Sequence, residues 1–277
     1  MKESQESIHK KEGNRESGLS HISEVVTNRQ IAKIEVTCQD CGEKYETLPL
    51  GMATKRRCPK CSEEKNRRME EREEQASLLR EQERILSLTR LAGMPPKWRE
   101  TTFSSSSTEI NRTALKICQE YAEGFNRKSQ SLVLYSQVNG NGKTHLATCI
   151  ANHILHELRL PVMFKKARDL MLEIRRTFSD RYTTEAEILD KVSYVDLLVL
   201  DDVGHDPASD WIFGTYWTVL DRRLEWELPV VITTNKPFES NDPKQELLCD
   251  RIGTGAASRL MGLCQGNIIE LVGPDLR

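Results

Sequence analysis

The sequence has no long apolar run and almost no net charge, and each shortage excludes a class of protein. Its 277 residues contain no stretch close to a membrane span, which needs roughly 18 apolar residues. Residues 1–30 lack the apolar centre of a signal peptide. The formal net charge is −2, so a contact with nucleic acid would need a local basic patch. We therefore expect a cytoplasmic protein without a membrane partner.

Eight cysteines stand in a chain without an export signal, which favours metal ligands and buried thiols over disulfides. Cys38 and Cys41 form one C-x2-C pair, and Cys58 and Cys61 form a second. Four thiolates close a tetrahedral site with no open position, so the spacing predicts Zn²⁺ in a structural role. Two disulfides or a redox pair are the alternatives.

The loop that enters the second cysteine pair is basic. It carries Lys55, Arg56, Arg57 and Lys60. Zinc with four thiolates has about two negative charges, so part of this cluster would balance the site. Whether the rest contacts nucleic acid or protein stays open.

Composition divides the chain into four predicted segments. Residues 1–30 are a polar, disordered tail, and residues 31–61 form a small zinc-ribbon-like module. Residues 62–92 alternate Glu and Arg around a thin apolar stripe, which predicts a charged linker helix, with a coiled coil as the alternative. A Gly-Met-Pro-Pro sequence then breaks the helix, because proline has no amide hydrogen. Residues 93–277 form the larger domain.

Short apolar runs alternate with helical periodicity through the larger domain. Strands alternating with helices predict a mostly parallel sheet that is covered on both faces, with ligands at the carboxyl ends of its strands. The strand candidates are Ser131–Tyr135, Val162–Lys165, Leu197–Asp202, Val230–Thr234 and Ile268–Val272.

A glycine-rich loop follows the first of these strands and precedes an amphipathic helix. Glycines let the backbone turn its amides toward an anion, Lys143 would reach the terminal phosphates of ATP, and Thr144 would offer its hydroxyl to Mg²⁺. The usual pattern begins with glycine where this chain has Gln137. A glycine-rich turn without a ligand is the alternative. The predicted phosphate-binding residues are Asn139, Gly140, Asn141, Gly142, Lys143 and Thr144.

Two further strands end in polar residues. Asp201 and Asp202 follow a buried strand, where carboxylates are costly unless they meet cations or water. Asp201 is predicted to hold Mg²⁺, and Asp202 to orient or activate the attacking water. Asn235 follows the next strand and would touch the γ-phosphate or that water. An acidic turn and an ordinary Asn-Lys-Pro turn are the alternatives.

These motifs together resemble the AAA+ ATPases of the DnaC/DnaI helicase-loader and IstB group, over roughly residues 92–277. The resemblance implies a P-loop core with strand order 5-1-4-3-2 and no C-terminal helical lid. It also implies ATP between subunits, with an arginine from one subunit reaching the γ-phosphate held by the next. Arg259 matches that position, and Arg223 is the second choice.

The resemblance also implies a function. We expect an ATP-dependent loader of a replicative helicase, acting as a homo-oligomer or together with the helicase. The helix after the second strand carries Arg168, Arg175 and Arg176, which would track single-stranded DNA or simply form a solvated face. Two alternatives remain: an IstB-like transposition helper on duplex DNA, and a nucleotide-binding adaptor that does not hydrolyse ATP.

Overall fold

The computed structural model describes residues 32–49, 56–106, 111–179 and 182–276. The predicted tail and Lys55 lie outside these residues. The chain divides into two compact units between Leu78 and Leu79, a division that falls inside one long helix, and the predicted domain limits stay a prediction. No helix in the described ranges is both long and apolar enough to cross a membrane.

The first unit contains a two-stranded antiparallel hairpin. Strand β1 (Ile34–Thr37) pairs with β2 (Lys44–Thr47). Cys38 and Cys41 lie in the turn between them, and Gly42 takes a φ of 75° that side chains rarely adopt. The hairpin thereby presents two thiols on one tight turn.

Helix α1 (Pro59–Ala92) begins earlier than the sequence predicts. The predicted start was at residue 62, yet the Ser62 amide already donates to the Cys58 carbonyl at 2.9 Å. Proline suits the first helical turn, because an amide there would have no partner within the helix. The early start places Cys61 in the first turn of α1, three residues after Cys58.

The second unit alternates strands and helices. Its strands are β3 (Leu132–Tyr135), β4 (Val162–Lys166), β5 (Leu197–Val203), β6 (Val230–Thr234) and β7 (Ile268–Glu270). Its helices are α2 (Arg112–Glu123), α3 (Lys143–His156), α4 (Ala167–Thr177), α5 (Glu185–Tyr194), α6 (Asp210–Glu225), α7 (Leu248–Ile252) and α8 (Thr254–Cys264).

The five strands form one parallel sheet in the order β4-β5-β6-β3-β7. The predicted order is confirmed, since it is the same order counted from the other edge. Strand β7 ends at Glu270, two residues before its predicted end, and no helix follows it within residues 182–276. The carboxyl ends of β3, β5 and β6 therefore meet at one edge.

Apolar layers cover both faces of this sheet. All four residues of β3 are buried, and the alternate side chains of the strands enter two separate clusters, one containing Val133 and Leu198, the other Leu132 and Val199. Burial on both faces explains why the strands read as continuous apolar runs rather than alternating ones. The register of β5 against β6 shifts between Leu200 and Val203, and this irregularity contains the two aspartates.

Candidate nucleotide site and cysteine cluster

The loop between β3 and α3 has the geometry of a phosphate cradle. Gly140 and Gly142 have φ values of 76° and 102°, which glycine adopts without steric cost. Gln137, at the position where the usual pattern has glycine, does not have a positive φ. A side chain is therefore compatible with the backbone at the entry of this loop.

The Lys143 ammonium lies inside the loop. Its Nζ donates to the Val138 carbonyl at 2.8 Å and approaches the Ser136 carbonyl and Asn141 Oδ1, each at 3.4 Å. The residue is 8% exposed, and a buried ammonium needs such partners. The loop thus holds a positive charge beside the amides at the start of α3, which is the arrangement that binds phosphates.

The Asn141 side chain braces the loop. Its Nδ2 donates to Ser136 Oγ at 2.5 Å and to the Leu271 carbonyl at 2.8 Å. The backbone amide of Leu276 also donates to the Gly140 carbonyl at 3.1 Å. The Asn141 side chain is buried in these contacts, and Asn141 does not line the cavity over the loop, so its predicted contact with phosphate stays a prediction.

Asp201 joins the loop to the neighbouring strands. Its Oδ1 accepts from Thr144 Oγ1 and from Thr233 Oγ1, both at 2.7 Å. Burial raises the pKa of the Asp201 carboxyl, while the two hydroxyl donors oppose that rise. The structure brings Thr144 and Asp201 together as the sequence predicts, and their oxygens are the ligand type that Mg²⁺ prefers.

Thr233 is a residue that the sequence analysis missed. Besides its bond to Asp201, its Oγ1 accepts the backbone amide of Asp202 at 2.8 Å. One hydroxyl therefore holds the side chain of Asp201 and the backbone of Asp202. The available signal in the sequence was the pair of threonines, Thr233 and Thr234, at the end of an apolar run.

Asp202 lies at the mouth of the site. Its φ of 64° is unusual for a residue with a side chain, and its side chain is 57% exposed. His205 Nε2 contacts Asp202 Oδ1 at 2.8 Å. The carboxylate therefore faces solvent at the end of β5, oriented by a residue of its own loop.

Asn235 follows β6 at the same edge of the sheet. Its Oδ1 is buried and has no hydrogen-bond partner among the described residues. Asn235 does not line the cavity that the phosphate loop lines. Its predicted contact with the γ-phosphate stays a prediction.

The cavity over the phosphate loop has a volume of about 520 Å³. Lys97 and Trp98 also line it, although in the sequence the preceding prolines predict only a domain boundary. Asn152 fixes this segment by donating to the carbonyls of Trp98 and Thr101, both at 2.8 Å. The lining residues are Lys97, Trp98, Asn139, Gly140, Gly142, Lys143, Thr144, His145, Lys166, Asp201 and Asp202.

The two candidate arginines have different environments. Arg223 is fully buried and donates to four backbone carbonyls, those of Val192, Ser193, Val195 and Pro229. Its role is to satisfy the carbonyls of its own fold, so the structure contradicts its choice as an arginine acting on a neighbour.

Arg259 keeps its guanidinium at the surface of α8. It pairs with Asp221 and lies over the ring of Trp217. Arg259 does not line the cavity of its own subunit. The structure is compatible with a role at a neighbouring site, and that role stays a prediction.

The four predicted zinc ligands converge in the first unit. The sulfur atoms of Cys38, Cys41, Cys58 and Cys61 all lie within 4.8 Å of one another. All four cysteines are free, so the structure contains neither of the alternative disulfides. The structure therefore offers one closed donor set of four sulfur atoms.

The donor set fits a tetrahedral metal ion. The separation of Cys41 Sγ and Cys58 Sγ is 3.8 Å, and a tetrahedron with metal–sulfur bonds of about 2.3 Å has edges of about 3.8 Å. Backbone hydrogen bonds from Cys58 and Cys41 lower the pKa of Cys38 to about 6. In contrast, the neighbouring thiols raise the pKa of Cys61. Without a cation, four thiolates this close would repel one another.

Comparisons with known proteins agree with this geometry. A family model described as IstB-like ATP binding protein matches residues 57–265. The replicative helicase loader DnaC of Escherichia coli (strain K12) is 29% identical over 150 residues, which cover 53% of this chain and 60% of that protein. The DnaC of Buchnera aphidicola subsp. Schizaphis graminum (strain Sg) is 36% identical over 114 residues, covering 40% and 45%. The chain thus spans less than two thirds of these relatives.

Solved structures share the fold. The crystal structure of the DnaC helicase loader matches with a TM-score of 0.55 and 20% identity, covering 64% of this chain and 100% of that one. The crystal structure of DnaI matches with a TM-score of 0.53 and 21% identity, covering 65% and 95%. At these identities the similarity shows the fold alone.

Proposed function

Because the chain belongs to the family of IstB-like ATP-binding proteins, we propose that it is an ATPase that loads a replicative DNA helicase onto single-stranded DNA. The observation that carries the proposal is the contact between Thr144 and Asp201, at 2.7 Å. This contact joins the phosphate loop to the acidic strand end in the arrangement that a magnesium nucleotide requires. The curated relatives that match are named as helicase loaders.

In the proposed reaction each residue at the edge of the sheet has one task. Lys143 and the amides of the loop bind the phosphates, and Thr144 with Asp201 would hold Mg²⁺. Mg²⁺ held by these two residues would supply positive charge against the charge that develops on the phosphates. Asp202 orients the attacking water, and the Asn235 side chain contacts the γ-phosphate or that water. Trp98 lines the cavity beside the loop, where its ring can pack against the nucleotide.

We propose that the cysteine cluster holds Zn²⁺ as a structural ion. Four sulfur ligands leave no open coordination position, so the ion would not take part in hydrolysis. Its task is to hold the hairpin on the start of α1. The module is the candidate contact with the helicase. Arg57 is a weaker candidate for a contact with DNA phosphates, because it already pairs with Asp40 at 2.5 Å.

Helix α4 is the candidate path for single-stranded DNA. Arg168, Arg175 and Arg176 are all exposed. Arg175 lies 4.7 Å from the ring of Trp211, which gives the helix an aromatic neighbour as well as charge. Basic residues beside aromatic rings suit a single strand, since phosphates need the charge and bases need a stacking surface.

An IstB-like transposition helper on duplex DNA is the second candidate, because the matching family model is described as IstB-like ATP binding protein. The two functions differ in the DNA that they require. We expect the intact chain with ATP to retain the hexameric replicative helicase of its own host on circular single-stranded DNA, and Lys143→Ala to abolish retention. Failure to bind the helicase, together with ATP-dependent assembly on duplex DNA, would replace the first proposal by the second.

A further inference from the structure

The guanidinium of Arg259 is held by contacts from two helices. Its Nε pairs with the Asp221 carboxylate of α6, and its Nη1 donates to the Gly255 carbonyl of α8 at 3.1 Å. Its central carbon lies 4.6 Å from the centroid of the Trp217 ring. Trp217 and Asp221 are one helical turn apart on α6, so they present ring and carboxylate on the same face.

Helix α6 packs closely against α8 at Gly255. A Cβ on Gly255 would approach Trp217 Cδ1 to 3.1 Å, so the ring would have to shift by a few tenths of an ångström to admit a side chain there. The ring therefore lies against the backbone of α8 and under the guanidinium. The contact with the Trp217 ring fixes the plane of the guanidinium, while the Asp221 carboxylate fixes the rotation of the guanidinium within that plane.

The outer edge of the guanidinium faces away from these contacts. Nη2 makes no hydrogen bond among the described residues, and the Arg259 side chain is 28% exposed. With Nε and Nη1 engaged, the two N–H donors of Nη2 are left, and a guanidinium binds phosphate oxygens through such groups. The contacts thus orient a cation that is still available to a neighbour.

We propose that Trp217 and Asp221 are positioning residues that aim Arg259 at the γ-phosphate bound by the adjacent subunit. The inference rests on the proposed ATPase function. A freely rotating arginine would reach the phosphate in only a fraction of its rotamers, and a misplacement of about 1 Å can cost a catalytic group roughly a hundredfold in rate. Neither residue touches the nucleotide. Both act through Arg259.

Mixed assemblies test this proposal. Subunits with Arg259→Ala keep an intact phosphate loop, and subunits with Lys143→Ala keep an intact arginine. Their mixture therefore hydrolyses ATP only where Arg259 of a Lys143→Ala subunit reaches the nucleotide bound by an Arg259→Ala subunit. Adding Asp221→Asn or Trp217→Leu to the Lys143→Ala subunits is expected to lower kcat of the mixture by roughly ten- to a hundredfold, with a similar KM. Adding either change to the Arg259→Ala subunits has no further effect, because no arginine is there to position.

Matched variants separate positioning from folding. Arg222, which lies on α6 like Asp221, forms a comparable ion pair in which its Nη1 is 2.8 Å from Asp190 Oδ1. Asp190→Asn breaks this pair and is expected to leave the rate of the mixture unchanged. Trp217→Phe keeps an aromatic face and should recover most of the rate. No loss from Asp221→Asn or Trp217→Leu, or equal loss in either subunit type, overturns the inference alone. A parent mixture that stays inactive at every ratio, while the unaltered chain is active, overturns the trans arginine and this inference with it.

Discussion

The cysteine cluster lies in a unit with almost no apolar core, whereas the phosphate loop follows a strand of a sheet that lies between two layers of buried side chains. In the described residues before Leu79, Cys38 and Cys58 are the only buried members of the apolar class. The loop of the second unit is anchored by β3, whose four residues are all buried. The two sites therefore depend on different forces: a metal ion would stabilise the first, and apolar burial stabilises the second.

The comparison makes removal of the metal the largest expected effect. Structural zinc contributes about 10–16 kcal/mol of apparent binding free energy in small modules, and the hairpin has no core to replace it. We expect a chelator, or Cys38→Ser with Cys58→Ser, to unfold residues 32–49 and 56–61 while the second unit stays folded.

Hydrogen exchange of the intact chain, with and without chelator, measures this effect. Cys249→Ser is the matched control, because Cys249 is a free cysteine of the second unit outside the cluster. If the hairpin amides stay protected from exchange without metal, the claim that a metal ion stabilises the first unit is contradicted.

Replacement of the exposed aspartate is the next largest effect. Asp202→Asn keeps the side-chain shape and removes the negative charge that would orient water, so we expect ATP to bind normally and turnover to fall by about 10²–10⁴-fold. Single-turnover hydrolysis with single-stranded DNA present checks this. Unchanged hydrolysis would remove Asp202 from its role, and Asp190→Asn serves as the control for loss of a surface charge.

Loss of the buried ammonium should act on binding. Lys143→Ala would remove the proposed charge-assisted contact to phosphate. Such bonds contribute about 1.5–3 kcal/mol, so we expect the Kd for ATP to rise by at least about tenfold. Calorimetric titration with MgATP measures it. Lys128→Ala removes an exposed lysine that pairs with Glu227 at 3.8 Å and should have no effect. Equal affinities for both variants would place the nucleotide elsewhere.

The unusual loop entry should matter least. Gln137 does not require a positive φ, so Gln137→Gly is expected to change ATP affinity and turnover by less than about threefold, a difference under roughly 1 kcal/mol. The same titration and turnover assays apply. A large gain in turnover would instead favour the nucleotide-binding adaptor, in which glutamine has weakened hydrolysis.

The sequence predicts what depends on local spacing. The cysteine pairs, the phosphate loop and the Asp201–Asp202 strand end are each defined within a few residues, and the structure brings the cysteines together and places Thr144 against Asp201. The strand order required the family resemblance, since periodicity alone does not give neighbours in a sheet.

The features that the sequence missed depend on contacts between distant segments. Thr233 reaches Asp201 from another strand, and Asn152 of α3 fixes the carbonyl of Trp98. By its place in the sequence, Arg223 is the second choice for the arginine that reaches a neighbouring subunit. The carbonyls that it satisfies, however, lie on α5 and around β5 and β6 of its own subunit. A motif locates a side chain along the chain, but its partners are set by packing.

The measurement that tests the account most directly is the rate of ATP hydrolysis per chain as the concentration of the intact protein rises, with single-stranded DNA present. If the phosphate loop of one subunit is completed by Arg259 of the next, the rate per chain must increase with concentration until assembly is complete. Arg259→Ala must abolish that increase. A rate per chain that is independent of concentration, and unaffected by Arg259→Ala, would contradict the shared site.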